Sequence, residues 1–264
     1  MSKSWRCLKV WVEGPVGHIM LNRPEARNAL DYETVEELER ALQQLGEETR
    51  VIVVRGAGGT FCAGADLKYV ATNRQDKATL RTFIEQINRA FFQIESVPVP
   101  VVAAVEGHAL AGGFELLQAC DVVLVVEDAV LGDQHANFGL IPGGGGSQRL
   151  PRLIGRQRAL GLLLSGEWIS GKEAAEWGLV YRAVPAGELE SEVRLFAQRL
   201  AERSKEGLGV MKRLVNQGLE RSLAEGIQME IEAFFEYIGG EDSDEGLRAF
   251  RERRAPRFTR RTEE

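Results

Sequence analysis

The sequence predicts an α/β fold built on a parallel sheet with crossover helices, and three observations carry that prediction. The runs Val51–Val54, Val101–Val105 and Val122–Val126 are short, continuous and valine-rich, the pattern of strands covered on both faces. Between them lie segments whose apolar residues recur at helical spacing. The resulting order of strand, helix, strand, helix, strand makes each return connection cross over the sheet. A length of 264 residues suits one large domain, or a domain with an appendage.

Each element follows from its residues. Leu8–Val12 and Val16–Leu21 read as two strands joined by a turn at Gly14-Pro15. Asn22-Arg23-Pro24 breaks that pattern. Asp31 is placed to cap a helix running to about Leu45, with Val35, Leu38, Leu42 and Leu45 on one face. After the strand at Val51–Val54, a glycine-rich turn from Gly56 to Gly64 leads into Ala65-Asp66-Leu67. The polar stretch Ala71–Lys77 is expected to be a mobile loop. A helix follows to about Ile94, with Phe83, Ile87 and Phe91 on one side, and Pro98 and Pro100 flank the next strand. Beyond Val105 the chain turns through Gly107, meets Gly112-Gly113 and enters an apolar helical segment that carries Glu115. Beyond Val126 come His135 and four consecutive glycines, Gly143–Gly146. Ser147–Leu164 reads as helical with a break near Gly155, Trp168–Gly178 as a short helix with turns, and Val180–Val184 as a last strand. From Gly187 the chain is amphipathic and helical, with breaks near Ser204 and Ser222. The expected division is a core over residues 1–186 and a helical subdomain over 187–264, whose apolar faces need the core or another subunit as partner.

Composition narrows the function. A formal net charge of −6 opposes nucleic-acid binding, which wants a basic face. The locally basic Arg248–Arg261 reads as a solvated helix face or as a contact for a phosphorylated ligand. Cys7, Cys62 and Cys120 have no metal-ligand or redox spacing, and an odd count makes no disulfide framework. Cys120 falls in an apolar helix and is expected in the core. MSKSW lacks a hydrophobic signal region, and no apolar run reaches membrane-spanning length. A reducing, cytoplasmic setting with no membrane partner is therefore expected. The Gly143–Gly146 run lacks the Lys-Ser/Thr ending of a phosphate-binding loop, which excludes nucleotide hydrolysis.

Two glycine-rich turns at strand-to-helix junctions, Gly107 to Gly113 and Gly143–Gly146, put bare backbone N–H groups where a ligand can come close. Glu115 is the lone acid of the apolar segment Phe114–Ala119, so it is expected to be functional or paired; a salt bridge or a solvent-facing position is the alternative. His135 titrates near neutrality and can pass a proton either way. His18 falls in the second strand and reads as structural. His108 precedes the Gly112 turn, and Trp168 and Trp177 read as packing residues.

Several motifs occur together and in order: Leu21-Asn22-Arg23-Pro24 with Asn28-Ala29-Leu30, Phe61-Cys62-Ala63-Gly64-Ala65-Asp66-Leu67, Ala111-Gly112-Gly113-Phe114-Glu115, and Gly139-Leu140-Ile141-Pro142-Gly143 with Gln148-Arg149-Leu150. Across nearly the whole chain this set resembles the crotonase superfamily, the enoyl-CoA hydratase/isomerase group. The resemblance implies a right-handed spiral of ββα units with a C-terminal α-helical trimerisation region. It also implies a homotrimer, or a hexamer built as a dimer of trimers. It implies acyl-CoA thioester substrates, with coenzyme A entering as part of the substrate and no separate cofactor or metal.

By matching motifs, Ala65 and Gly112 would supply the oxyanion-hole amides, and Glu115 would move protons. Arg23, Ala26 and Asn28 would lie toward the nucleotide end of CoA, and Ala63, Asp66 and Leu67 along the pantetheine. Phe250 and the basic tail would cover the acyl or nucleotide end. One position departs from the pattern. The resemblance implies a second glutamate four residues before Gly139, where this chain has His135, after Gln134 in place of a common proline. Asp133 is the nearest acid, two places out of register, in a stretch where side chains two apart share a face. The activity implied is reversible hydration of 2-enoyl-CoA, with Glu115 as acid and base and His135 assisting. The alternatives are double-bond isomerisation, a specialised decarboxylation, ring-opening or thioester hydrolysis, or an inactive CoA-binding homologue.

Overall fold

The computed structural model describes residues 5–258. The chain opens with β1 (Leu8–Glu13) and β2 (Val16–Leu21), followed by α1 (Tyr32–Glu48), β3 (Val51–Gly56), α2 (Leu67–Asn73), α3 (Lys77–Ser96) and β4 (Val101–Val105). Then come β5 (His108–Leu110), α4 (Gly112–Ala119), β6 (Val122–Val126), β7 (Val130–Gly132), α5 (Gly146–Ile154), α6 (Arg156–Ser165), β8 (Ile169–Ser170), α7 (Gly171–Glu176) and β9 (Arg182–Val184). The chain finishes with α8 (Leu189–Ala201), α9 (Lys205–Gly218), α10 (Leu223–Tyr237) and α11 (Glu241–Glu252).

The large sheet has the order β1-β2-β3-β4-β6-β9. β1 pairs antiparallel with β2, and the remaining pairs are parallel. Helices cover both faces, which is why Val51–Val54 and Val101–Val105 carry no alternating polar positions: all nine residues are buried. A smaller sheet, β5-β7-β8, runs beside it. Isolated parallel bridges, Leu30 to Ala65 and Cys62 to Ala109, extend that second layer. Each turn of the chain thus contributes a long strand to the first sheet, a short extended segment to the second, and then a helix. This is the ββα spiral that the motifs imply. The short segments were not anticipated from the residues, because one to three residues show no period.

Capping decides the helix starts. Asp31 accepts from the Thr34 N–H at 2.8 Å, and α1 buries Val35, Leu38, Leu42 and Leu45 as its spacing predicts. The loop expected over Ala71–Lys77 is reduced to a short turn, Arg74–Asp76, between two helices. Asp66 caps α2 through the Lys68 N–H, Asp76 caps α3 through the Ala78 and Thr79 N–H groups, and α2 continues to Asn73. Only Arg74–Asp76 connects the two helices outside helical structure, and exposed polar side chains occur on both the helices and the connection, which polarity alone does not distinguish. The last strand is shorter than expected, because the Leu179 and Val180 amides close the turn after α7 on the Ala174 carbonyl.

Helix α8 lies on the large sheet and buries Leu189, Val193 and Ala197. Ser204 and Ser222 cap α9 and α10, the two breaks that the sequence predicts. A third break, before α11, was not anticipated. Lys212 anchors α9: its Nζ donates to Asp121 at 2.7 Å and to the Ile94 and Val99 carbonyls. No helix among the described residues is long and apolar enough to cross a membrane. The end of the basic run, Arg260-Arg261, lies outside the described residues.

Candidate active site

The second layer brings two strand-to-helix junctions together. The Asp66 N–H donates to the Leu30 carbonyl at 2.8 Å, the Leu110 N–H to Cys62 at 3.0 Å and the Ala111 N–H to Gly132 at 2.9 Å. These rungs set the Gly64-Ala65 turn against the start of α4. A methyl group at Gly112 would lie 3.1 Å from the Ala65 nitrogen, so the two amides are neighbours with no side chain between them. Neither the Ala65 nor the Gly112 N–H donates to any acceptor among the described residues. Ala111, just before, has φ 47° and ψ −119°, a glycine-type conformation that costs an alanine on the order of 1–3 kcal/mol. That strain turns the peptide whose nitrogen belongs to Gly112, and Gly112 opens a helix whose dipole favours negative charge.

Glu115 sits one helical turn further on and is 2% exposed. Its Oε1 accepts the Gly144 and Gly146 N–H groups, each at 2.8 Å. This explains the glycine run: a Cβ at Gly144 would lie 2.8 Å from Glu115 Oε2, and one at Gly146 3.0 Å from its Cγ. Burial pushes the carboxyl above the usual glutamate range. The Gly146 and Gly144 N–H groups and the charge of His135 oppose the rise, and Asp133 adds to it.

His135 opens a 3-10 turn, His135–Phe138, after Gln134 in a left-handed conformation at φ 61°. Its Nδ1 lies 2.8 Å from Asp133 Oδ1, and its backbone N–H donates to the same oxygen at 3.3 Å. Asp133 is 1% exposed, and its Oδ2 is buried with no hydrogen-bond partner among the described residues. Burial pulls the imidazole down, but the Asp133 hydrogen bond and the charges of Asp133 and Glu115 outweigh it and hold His135 above the ordinary histidine value. A Cβ at Gly146 would lie 3.1 Å from Glu115 Oε1 and 3.4 Å from Asp133 Oδ2, so both carboxyls converge on the start of α5.

The other predicted residues fall into two groups. Arg23 donates to the Ala29 carbonyl at 2.7 Å and pairs with Asp31 at 3.0 Å and Asp66 at 3.1 Å. Asn28 is buried and brackets the same loop, with its Nδ2 donating to the Ala57 and Thr60 carbonyls and its Oδ1 accepting the Arg23 N–H. Arg23, Asn28 and Asp66 therefore brace the turn that carries Ala63 and Ala65. Ala26 lies in a 3-10 turn, Pro24–Ala26, beside them. The second group is exposed: Leu67 at the start of α2, and Phe250 on α11 at 84%. His18 is buried in β2 and stacks on Trp11 at 4.6 Å, while His108 is exposed in β5. Trp177 packs under Arg158, but Trp168 is largely exposed. Sequence reasoning missed the glycine run as the cradle of Glu115, and the pairing of Asp133 with His135. The two-residue spacing of Asp133 and His135 was the available signal for the pairing.

The family model described as enoyl-CoA hydratase/isomerase matches residues 12–261. A probable enoyl-CoA hydratase of Mycobacterium tuberculosis is 38% identical over 252 residues, covering 93% of this chain and 95% of that one. The mitochondrial enoyl-CoA hydratase domain-containing protein 2 of Mus musculus is 38% identical over 250 residues, covering 92% and 84%. The crystal structure of an enoyl-CoA hydratase from Bacillus anthracis superposes with a TM-score of 0.91 at 39% identity, over 96% of this chain and 99% of that one. The chain belongs to the enoyl-CoA hydratase/isomerase family and has its crotonase fold.

Proposed function

We propose that the protein is an enoyl-CoA hydratase, adding water reversibly across the double bond of a 2-enoyl-CoA to give a 3-hydroxyacyl-CoA. The observation that carries this reading is the pair of unengaged amides at Ala65 and Gly112, followed one helical turn later by the buried Glu115. The thioester oxygen accepts both amides. Charge develops on that oxygen only as the enolate forms, so preorganised donors stabilise the transition state over the substrate. Glu115, as carboxylate, takes a proton from water as its oxygen bonds to C3. The π electrons move to the thioester oxygen. Protonated His135 delivers a proton to C2 as the enolate collapses, and proton transfer from Glu115 to His135 resets the site. The raised position of His135 supports its role as the donor near neutrality.

In this reading coenzyme A is part of the substrate, and no further cofactor or metal takes part. Ala26, Ala63 and Leu67 line its path, while Arg23, Asn28 and Asp66 hold the loop in shape. Phe250 covers the acyl or nucleotide end of a site, from its own or a neighbouring copy. Exposed Leu223, Ile227, Phe234 and Phe235 on α10 support assembly as a homotrimer or a hexamer. Free, buried Cys7, Cys62 and Cys120 suit a reducing, cytoplasmic setting.

The test is loss of the conjugated-thioester absorbance of crotonyl-CoA. The wild type is expected to consume it, and Glu115→Gln and His135→Ala to lose about 10²–10⁴ in rate. A wild type that binds acyl-CoA without consuming crotonyl-CoA refutes the reading, and the reaction is then to be sought with 3-enoyl, carboxylated and cyclic CoA esters.

A further inference from the structure

We propose that Asp133 is a positioning residue and that Asp133 and His135 carry protons as one unit: the carboxylate holds the imidazole by Nδ1–H and leaves Nε2 to exchange protons with the substrate. The proposal rests on the hydratase reading for what the unit acts on. The unit itself rests on geometry.

An ionised carboxylate only accepts, so the 2.8 Å contact from Asp133 Oδ1 to His135 Nδ1 makes that nitrogen the donor and places the imidazole lone pair on Nε2. The same oxygen receives the His135 backbone N–H at 3.3 Å, which ties the ring to its own main chain. Asp133 directly follows β7, whose last residue, Gly132, accepts the Ala111 N–H. The imidazole is thus hung from the same ladder that sets the Gly112 amide.

Charge gives the second argument. With the imidazole protonated the pair sums to zero, and with it neutral the pair sums to −1. The pair therefore titrates through the same charges as a single carboxyl group, but from a base whose ordinary value is near neutrality. This lets a proton carrier sit in a buried site beside Glu115 without adding a net positive charge. The charged groups acting on the imidazole are Asp133 and, from α4, Glu115, while the Gly144 and Gly146 amides at the start of α5 are turned to Glu115. The nearest cation on α5, Arg149, is spent on Glu95 at 2.6 Å and on the Gly144 carbonyl. Asp133 Oδ2 takes no hydrogen bond from the described residues.

The experiment is ¹⁵N NMR of protein labelled at histidine. The chain has three histidines, and His135→Gln identifies the third set of signals. In the wild type, neutral His135 is expected as the Nδ1–H tautomer. Asp133→Asn keeps an acceptor for Nδ1–H but removes the charge. It is expected to keep the tautomer while raising the acid dissociation constant of His135 about tenfold or more, a shift of about one pH unit. The alkaline limb of kcat/KM for crotonyl-CoA is expected to move down by the same amount. Asp133→Ala is expected to lose the tautomer preference as well, and Asp133→Glu to restore the limb in part.

An Nε2–H tautomer in the wild type overturns the proposal, and that measurement needs no variant to fold. An Asp133→Asn protein whose His135 titration is unchanged overturns it too. If the NMR results hold but crotonyl-CoA is not consumed, the pair stands and the hydratase reading falls.

Discussion

Glu115→Gln is expected to make the protein more stable and less active, and the gain in stability is expected to grow with pH. The carboxyl is 2% exposed, and one of its oxygens accepts two backbone N–H groups at 2.8 Å. Hydrogen bonds to a charged acceptor contribute about 1.5–3 kcal/mol each. Removing a carboxylate from water costs several kcal/mol, and Asp133 adds repulsion. Burial wins, because the group lies above its ordinary value of 4.5. A group whose folded value is raised contributes stability that is fully present below the unfolded value and lost as pH rises through the folded one. Glutamine keeps the acceptor for both amides and never ionises. The two proteins should therefore be alike near pH 4, and the variant should lead at pH 8. The difference is about 1.4 kcal/mol for each unit separating the folded and unfolded carboxyl. In a chain of this size each kcal/mol corresponds to about 2–4 °C in Tm. The charge of Glu115 also helps to raise His135, so the imidazole is expected to hold its proton less tightly in the variant. The assay is urea unfolding followed by circular dichroism at both pH values, beside turnover of crotonyl-CoA, which should fall about 10²–10⁴. A variant that is less stable at pH 8, or a difference that ignores pH, refutes the reasoning.

Two further predictions follow from other contacts. Gly112→Ala places a methyl 3.1 Å from the Ala65 nitrogen and 3.3 Å from Gly64 Cα. Those contacts are tighter than ordinary packing and meet backbone, so the urea midpoint should fall, and the methyl fills the space between the two amides, so kcat should fall about 10²–10³; undiminished turnover would remove these amides from the mechanism. Lys212→Met leaves Asp121, which burial already pushes up to about 6, without its ion-pair partner at 2.7 Å. The loss should be about 3–5 kcal/mol near neutrality. Lys212 holds that carboxyl down, so without it the group protonates above about 6, and the loss should shrink as pH falls from neutrality towards 6. An equal loss at acid and neutral pH would show that the pair's charge is not what matters.

The long strands and the capped helices were legible in the sequence, because each depends on a pattern within ten or twenty residues. Continuous valine runs mark strands buried on both faces, and Asp31, Ser204 and Ser222 mark helix starts through bonds that close within three residues. The polar Ala71–Lys77 stretch misled, because composition records solvent exposure and not backbone shape. For the site, the sequence by itself determined the chemical groups: two glycine-turn amides, one acid in an apolar helix, and a histidine where the family resemblance implies a glutamate. Only the tertiary structure decided how they act. Residues 30, 62–65, 108–110 and 130–132 form a second layer because the spiral stacks them, and no local pattern announces that stacking. That layer sets the Ala65 amide beside Gly112. It also brings Gly144 and Gly146 onto Glu115, across 29 and 31 residues of chain. The proton affinities of Glu115 and His135 follow from burial and from neighbours brought in by folding. Those quantities depend on distance in space, which a one-dimensional order of residues does not contain.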